Sequence, residues 1–170
     1  MRRRGLLKLG LGATVLLGLA GGGLALLKPG LGKDGHLSAE SRALLGAVAL
    51  ALMDGLWPAD ALAREADLAR YLDRLDGSIA GLPAALRGDL SQLLSLLGSS
   101  GGRLALSGLA ADWSRVPTTE LQAALDAMRV SGSDTRQQVY RALRDLGCLV
   151  FFAEPAHARL AGYPGPREIP

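Results

Sequence analysis

The side chains able to do chemistry are few: His36, His157, Cys148 and sixteen carboxylates. A zinc site needs three or four ligands gathered at short, regular spacing. His36 and His157 lie near opposite ends of the sequence, and neither belongs to a His-x3-His or Cys/His cluster. One cysteine excludes an internal disulfide and a Cys-x-x-Cys-His haem attachment. Gly98-Ser99-Ser100-Gly101-Gly102 is glycine-rich, but no Lys-Ser/Thr follows it and no strand precedes it, so it is not a phosphate loop. No nucleophile elbow or dinucleotide-binding unit is expected where no strand leads into a helix.

Five acids, Asp60, Glu65, Asp67, Asp73 and Asp76, fall within 17 residues. Such a cluster could bind a metal or serve acid–base chemistry. Arg64, Arg70 and Arg74 are interleaved with it, and that mixture reads as a solvated helix face, with an i,i+4 pair between Asp60 and Arg64. Cys148 sits in Leu146-Gly147-Cys148-Leu149-Val150-Phe151-Phe152, where a buried thiol is inert. A redox or inter-chain role is the competing reading. His157 is expected at the surface of a short last helix, with a partner contact as its functional alternative. A domain without a convergent polar constellation is better suited to binding than to catalysis.

The elements that carry these residues read as helices throughout. Residues 28–36 (KPGLGKDGH) are rich in Gly, Pro and charge and read as a linker. Ser38 is a good N-cap for a helix whose stretch Ala43 to Met53 is apolar nearly all round, the mark of a central buried helix. It ends near Asp54-Gly55, with Trp57-Pro58 as a breaker. A second helix is expected over 60–75, burying Leu62, Leu68, Tyr71, Leu72 and Leu75. A third starts at Pro83 and runs to Leu97, ended by the Gly98–Gly102 stretch. Residues 104–113 are short and apolar. A fourth helix starts with Thr118 as cap and runs to about Val130. The longest covers 134–153, with Val139, Leu143, Leu146 and Val150 as its core stripe. Its end is apolar on every side and must be covered. Glu154-Pro155 stops it, and a short helical turn spans 156–160. No stretch alternates as a strand with turn chemistry. The expected fold is all-α, an irregular bundle of five to six helices over 37–170, after an N-terminal signal or anchor helix over 1–27.

The N-terminus has a composition of its own. Leu9 to Leu27 is 19 residues without a charge, long enough as a helix to approach the ~30 Å core of a bilayer. Six glycines lower its helix propensity by about 1 kcal/mol each relative to Ala. Arg3-Arg4-Gly5-Leu6-Leu7-Lys8 resembles the twin-arginine (Tat) export signal: two arginines, a spacer, two apolar residues and a lysine. The contending readings are an ordinary secretory signal or anchor and a cytoplasmic basic helix. Gly18-Leu19-Ala20 and Gly23-Leu24-Ala25 are permissive cleavage sites, so both removal and retention in the inner membrane fit the pattern. The leader also explains the net charge of +3: from Leu31 onward fourteen Lys and Arg face sixteen Asp and Glu, a balance of −2. With no basic stripe and no aromatic–basic interleaving in the body, no nucleic-acid partner is expected.

Several residues together form a recognisable pattern. Leu37-Ser38-Ala39-Glu40 opens a buried helix that ends in Trp57-Pro58, and Arg136 to Leu143 leads to the aromatic pair Phe151-Phe152. Glu154-Pro155 and Gly162-Tyr163-Pro164-Gly165-Pro166 follow. Over most of Leu37 to Pro166 this resembles the gluconate 2-dehydrogenase subunit 3 family, the small (gamma) subunits of flavin-dependent sugar and alcohol dehydrogenases. The family's aromatic pair is often tyrosine, whereas here both residues are Phe. The resemblance implies a non-catalytic subunit that binds no cofactor itself and pairs with a large flavoprotein of the glucose-methanol-choline type, which would hold FAD. The small subunit's signal, Arg3, Arg4, Leu6, Leu7 and Lys8, would bring both to the Tat translocase and the periplasm. Tyr163, Pro164, Pro166, Trp57 and Trp113 are the candidate anchors for that partner, because rigid aromatics and prolines make good interface contacts. The competing readings are a tight turn sealing the bundle for Tyr163 to Pro166, and core packing for both tryptophans. The main alternative function is a membrane-anchored helical interaction module without an enzyme partner.

Overall fold

The computed structural model describes residues 27–162. Over them the chain is all-helical: α1 (Ala39–Leu52), α2 (Ala61–Ala80), α3 (Ala84–Gly98), α4 (Ser100–Ser107), a 3₁₀ turn (Trp113–Arg115), α5 (Thr118–Arg129), α6 (Asp134–Phe152) and α7 (Pro155–Leu160). No strand forms among the described residues, and the one β feature is an isolated bridge between Leu31 and Leu37. None of these helices is long and apolar enough to cross a membrane. The signal residues Arg3, Arg4, Leu6, Leu7 and Lys8 lie outside the described residues, as do Tyr163, Pro164 and Pro166.

The centre is α1, as its composition requires. From Leu44 to Met53 no residue is exposed. α2, α3, α5, α6 and the 3₁₀ turn all pack on it. Ser38 caps it, its hydroxyl accepting from the Ser41 N–H at 3.1 Å. Gly55, at φ +80°, lets the chain turn out of α1.

Four elements differ from their sequence reading. α2 runs to Ala80, five residues past Leu75. Asp60 caps it through the Ala63 N–H at 2.8 Å rather than pairing with Arg64. Leu62 is 78% exposed and lies off the buried stripe, which is Asp67, Tyr71, Leu72, Leu75 and Ile79. The glycine-rich stretch ends α3 but also starts α4: the Ser99 hydroxyl accepts from the Gly102 N–H at 3.1 Å, and Gly102 lies so close to Leu96 that a Cβ would collide with it. Thr118 is the first residue of α5, and Pro117 holds the cap position without a side-chain bond. On α6, Leu149 is 74% exposed and Cys148 half-buried, so the apolar end is covered on one side only.

The stretch 28–36 is a docked strap rather than a free connector. The N–H groups of Gly30 and Leu31 donate to the hydroxyls of Ser95 and Ser91 on α3 at 2.9 and 3.1 Å, and Leu31 is buried. A Cβ on Gly30 would stand 2.5 Å from that of Leu94, so only glycine fits there. At the far end Asp76 takes the Leu37 N–H at 2.7 Å on one carboxylate oxygen and His36 Nδ1 at 2.9 Å on the other. The Asp76 hydrogen bond and charge raise the His36 pKa. Partial burial pushes the Asp76 carboxyl up, but the Leu37 N–H and His36 outweigh it and the net shift is downward.

The signs give a pH window. A raised histidine contributes fully below its ordinary 6.5 and loses that contribution as pH rises through its folded value. A lowered carboxyl contributes above its ordinary 3.8 and loses it as pH falls through its folded value. The clasp is therefore complete between these two ordinary values. Protection of the Leu37 amide from hydrogen exchange, corrected for intrinsic rates, is expected to be greatest there and to fall above neutrality. His36→Asn should flatten the alkaline limb, and an unchanged limb would contradict the clasp.

Candidate functional site

Among the described residues two hollows stand out. One, of about 390 Å³, lies between the start of the strap, α1 and α3. The hydroxyls of Ser38, Ser95 and Ser99 in its lining bond back to nearby backbone and to one another's segments, so its polar groups are committed. The other is an open groove of about 650 Å³ where the α1–α2 turn, α2 and α7 meet. Its apolar lining includes Trp57, Pro58, Ala63 and Leu160, and its charged groups are Asp67, Arg70, Arg74, Glu154 and His157.

A buried contact between Asp67 and His157 holds the walls of the groove together. His157 Nε2 stands 2.8 Å from Asp67 Oδ2, and His157 Nδ1 3.1 Å from the Phe151 carbonyl. Both residues are buried, at 5% and 7% exposure. Arg70 donates to the other Asp67 oxygen at 3.1 Å. The His157 ring stacks on Phe151, with centroids 4.0 Å apart and planes within 7°. α7 has only six residues, too few to hold itself as a helix, and His157 is its one buried residue. The histidine is what fastens it to α2 and α6.

His157 is therefore not a surface residue, and Asp67 does not belong to a solvated face. A sequence signal for Asp67 exists: it lies four residues before Tyr71 and eight before Leu75, in register with the apolar stripe. His157 offers no comparable signal, because six residues are too few to define a face.

Below the pair lies an aromatic cluster. Trp57 meets Phe151 edge-on at 4.9 Å and Tyr71 at 5.7 Å. Its indole N–H donates to the Ala49 carbonyl at 3.3 Å. Trp57 is buried in the floor of the groove, and the competing core reading holds for it. Trp113 is also core: it is 2% exposed and donates to the Leu97 carbonyl at 2.9 Å, so it offers no face to a partner. Tyr71 reaches toward the Gly147 carbonyl at 3.5 Å, and burial pushes its phenol well above its ordinary value. Cys148 is half-buried, and burial raises its thiol pKa, with Arg144 opposing, so the thiolate is disfavoured.

Arg74 is the underpaired group. Its Nη1 stands 3.7 Å from Glu154 Oε2, and its buried Nε and Nη2 have no hydrogen-bond partner. Among the described residues no three His, Cys, Asp or Glu side chains gather to hold a metal.

Two short letter patterns in the chain are also placed by the fold. Gly98-Ser99-Ser100-Gly101-Gly102 fits Gly-x-Ser-x-Gly, and Gly30-Leu31-Gly32-Lys33-Asp34-Gly35 fits Gly-x-Gly-x-x-Gly. The first joins two helices, and the second forms the strap's turn, with Gly35 at φ +84°. Neither follows a strand, so neither has the context that a nucleophile elbow or a dinucleotide site requires.

No protein-family model matches the chain, no curated protein matches it, and no solved structure matches it.

Removing His157 strands Asp67 in the interior with Arg70 alone and frees α7. His157→Ala is expected to cost about 3 kcal/mol in urea unfolding, as for other broken buried pairs. Substituting an exposed histidine would change stability by less than about 0.5 kcal/mol. A double-mutant cycle with Asp67→Asn should give a coupling of about 1–3 kcal/mol, and zero coupling would refute the pairing.

Proposed function

We propose that the chain is a non-catalytic small subunit that escorts a large FAD-dependent dehydrogenase subunit through twin-arginine export and stabilises it in the periplasm. The observation that carries this reading is a convergence. The residues on which the resemblance rests come from both ends of the body: Trp57-Pro58, Phe151-Phe152, Glu154-Pro155 and the segment that begins at Gly162. Trp57, Pro58 and Glu154 line one groove, and Phe151 packs beneath it. Asp67 and His157 of the groove are bonded to each other, so this pair holds helices rather than faces a small substrate. Its rim carries exposed apolar residues, Leu160 among them, beside the charged Arg70. An apolar floor with a charged rim suits a protein partner.

On this reading the flavin and the oxidation chemistry belong to the partner. The partner loads its flavin before export, folds, and leaves with the small subunit attached, and Arg3 and Arg4 serve both chains. Replacing both arginines with lysine is expected to leave this chain and its flavoprotein together in the cytoplasm, followed by fractionation and flavin fluorescence of the periplasm. If the flavoprotein still reached the periplasm, the escort role would be lost. If no flavoprotein accompanied the wild-type chain and it stayed in the membrane fraction, the anchored interaction module would replace it.

A further inference from the structure

α7 is the shortest of the described α-helices, and it lies over an aromatic part of the core. We propose that α7 is a lid: it lifts as a unit at Glu154 while α2 and α6 stay folded, and its lifting turns the groove into a pocket floored by Phe151 and Trp57. The joint is built into the backbone. α6 ends at Phe152, and Glu154 is extended, at φ −79° and ψ 120°, before α7 begins. Pro155 has no N–H to continue the α6 ladder. Ala158 donates to the Glu154 carbonyl at 3.0 Å, so the bonds of α7 start on its own side of the break. No side chain caps α7. It buries His157 alone, while Pro155, Ala156, Arg159 and Leu160 are exposed.

Two groups oppose each other across the joint. His157 holds the lid down through Asp67 and the Phe151 carbonyl. Arg74 works against it. Its Nη1 stands 3.7 Å from Glu154, at the joint itself, and its Nε and Nη2 are buried without a partner. A buried donor left unpaired bears the full cost of leaving water, and lifting α7 returns these N–H groups to solvent. Lifting does not strand Asp67, because Arg70 keeps its bond to the other carboxylate oxygen at 3.1 Å. The floor also stays in place. Trp57 is tied to the Ala49 carbonyl, and Phe151 belongs to α6. What opens is the Phe151 face on which the imidazole stacks, together with the Trp57 ring beside it. In the closed form those two rings are enclosed. Elements of low local stability are the ones proteins use to cover and uncover such surfaces.

The lid needs no partner, so its failure would leave the export role standing. Hydrogen exchange of the full chain at constant pH tests it. The Ala158 and Ala161 amides, bonded within α7, are expected to share one protection factor, at least about a hundredfold below that of the α6 core amides. Arg74→Met keeps an apolar stem and removes the unpaired donors, so it should raise the α7 protection about tenfold. A helix that merely frays would not respond in this direction. His157→Asn should remove the protection while the α2 and α6 amides keep theirs. In that variant acrylamide should quench tryptophan fluorescence more strongly, because Trp57 becomes accessible while Trp113 stays enclosed. Protection of α7 equal to that of α6 would overturn the proposal, as would unchanged or lower protection in Arg74→Met. Quenching unaffected by His157→Asn would overturn the pocket.

Discussion

From Leu44 to Met53 the chain has no residue that can face water without loss, and the organisation of the domain follows from covering it. One helix neighbour covers only a stripe, so several are needed, and five elements pack on α1. At Gly46 a side chain of α2 comes near the backbone of α1: an added Cβ would meet Leu72 at 3.4 Å. Both tryptophans serve the same enclosure. Each buries a large ring and needs one acceptor for its N–H, which Trp57 finds at Ala49 and Trp113 at Leu97. Their hydrogen bonds point into the bundle: Trp113 is enclosed, and Trp57 reaches the groove only as part of its floor.

Apolar burial brings the helices together but does not by itself decide where the short ones sit. Buried polar groups do that here. Arg103 of α4 donates to the Gly98 and Ala110 carbonyls and to Asp112 at 2.8 Å, closing the irregular stretch before the 3₁₀ turn. His157 does the same for α7. Such pairs add little net stability, because desolvating the charges offsets most of their attraction. Their effect is to make one arrangement better than its neighbours: moving α7 by a residue would leave Asp67 buried with Arg70 as its one partner. The groove exists because α7 is fastened at its middle by one side chain while its sides remain open.

What was legible in the sequence followed periodicity and caps. Helices of twelve residues or more were visible from their stripes and, for two of them, from Ser38 and Pro83 at their starts. α4 was hidden because two glycines in its first turn count against a helix, and its reason for being there is non-local: Gly102 must pass close to Leu96. The strap was hidden for a related cause. KPGLGKDGH has the composition of a flexible connector, and its order comes from Ser91, Ser95 and Asp76, far away in sequence. The candidate groove was half legible. Trp57, Glu154 and the aromatic pair stood out by type, whereas the Asp67–His157 bond joins positions 90 residues apart.

The strap bears on how a leader could act while the body stays folded. Backbone hydrogen bonds hold the chain from Gly30 onward to α3. Between Arg4 and Gly30 stand 25 residues. On the proposed export reading a translocase could therefore bind Arg3 and Arg4 without loosening any contact of the strap. A route that threads the chain unfolded would instead have to peel Gly30 and Leu31 from α3, withdraw Leu31 from the core and open the Asp76 clasp before reaching α1. On the proposed export reading the folded body is an advantage, because the surface that holds a flavoprotein must already exist when the pair leaves.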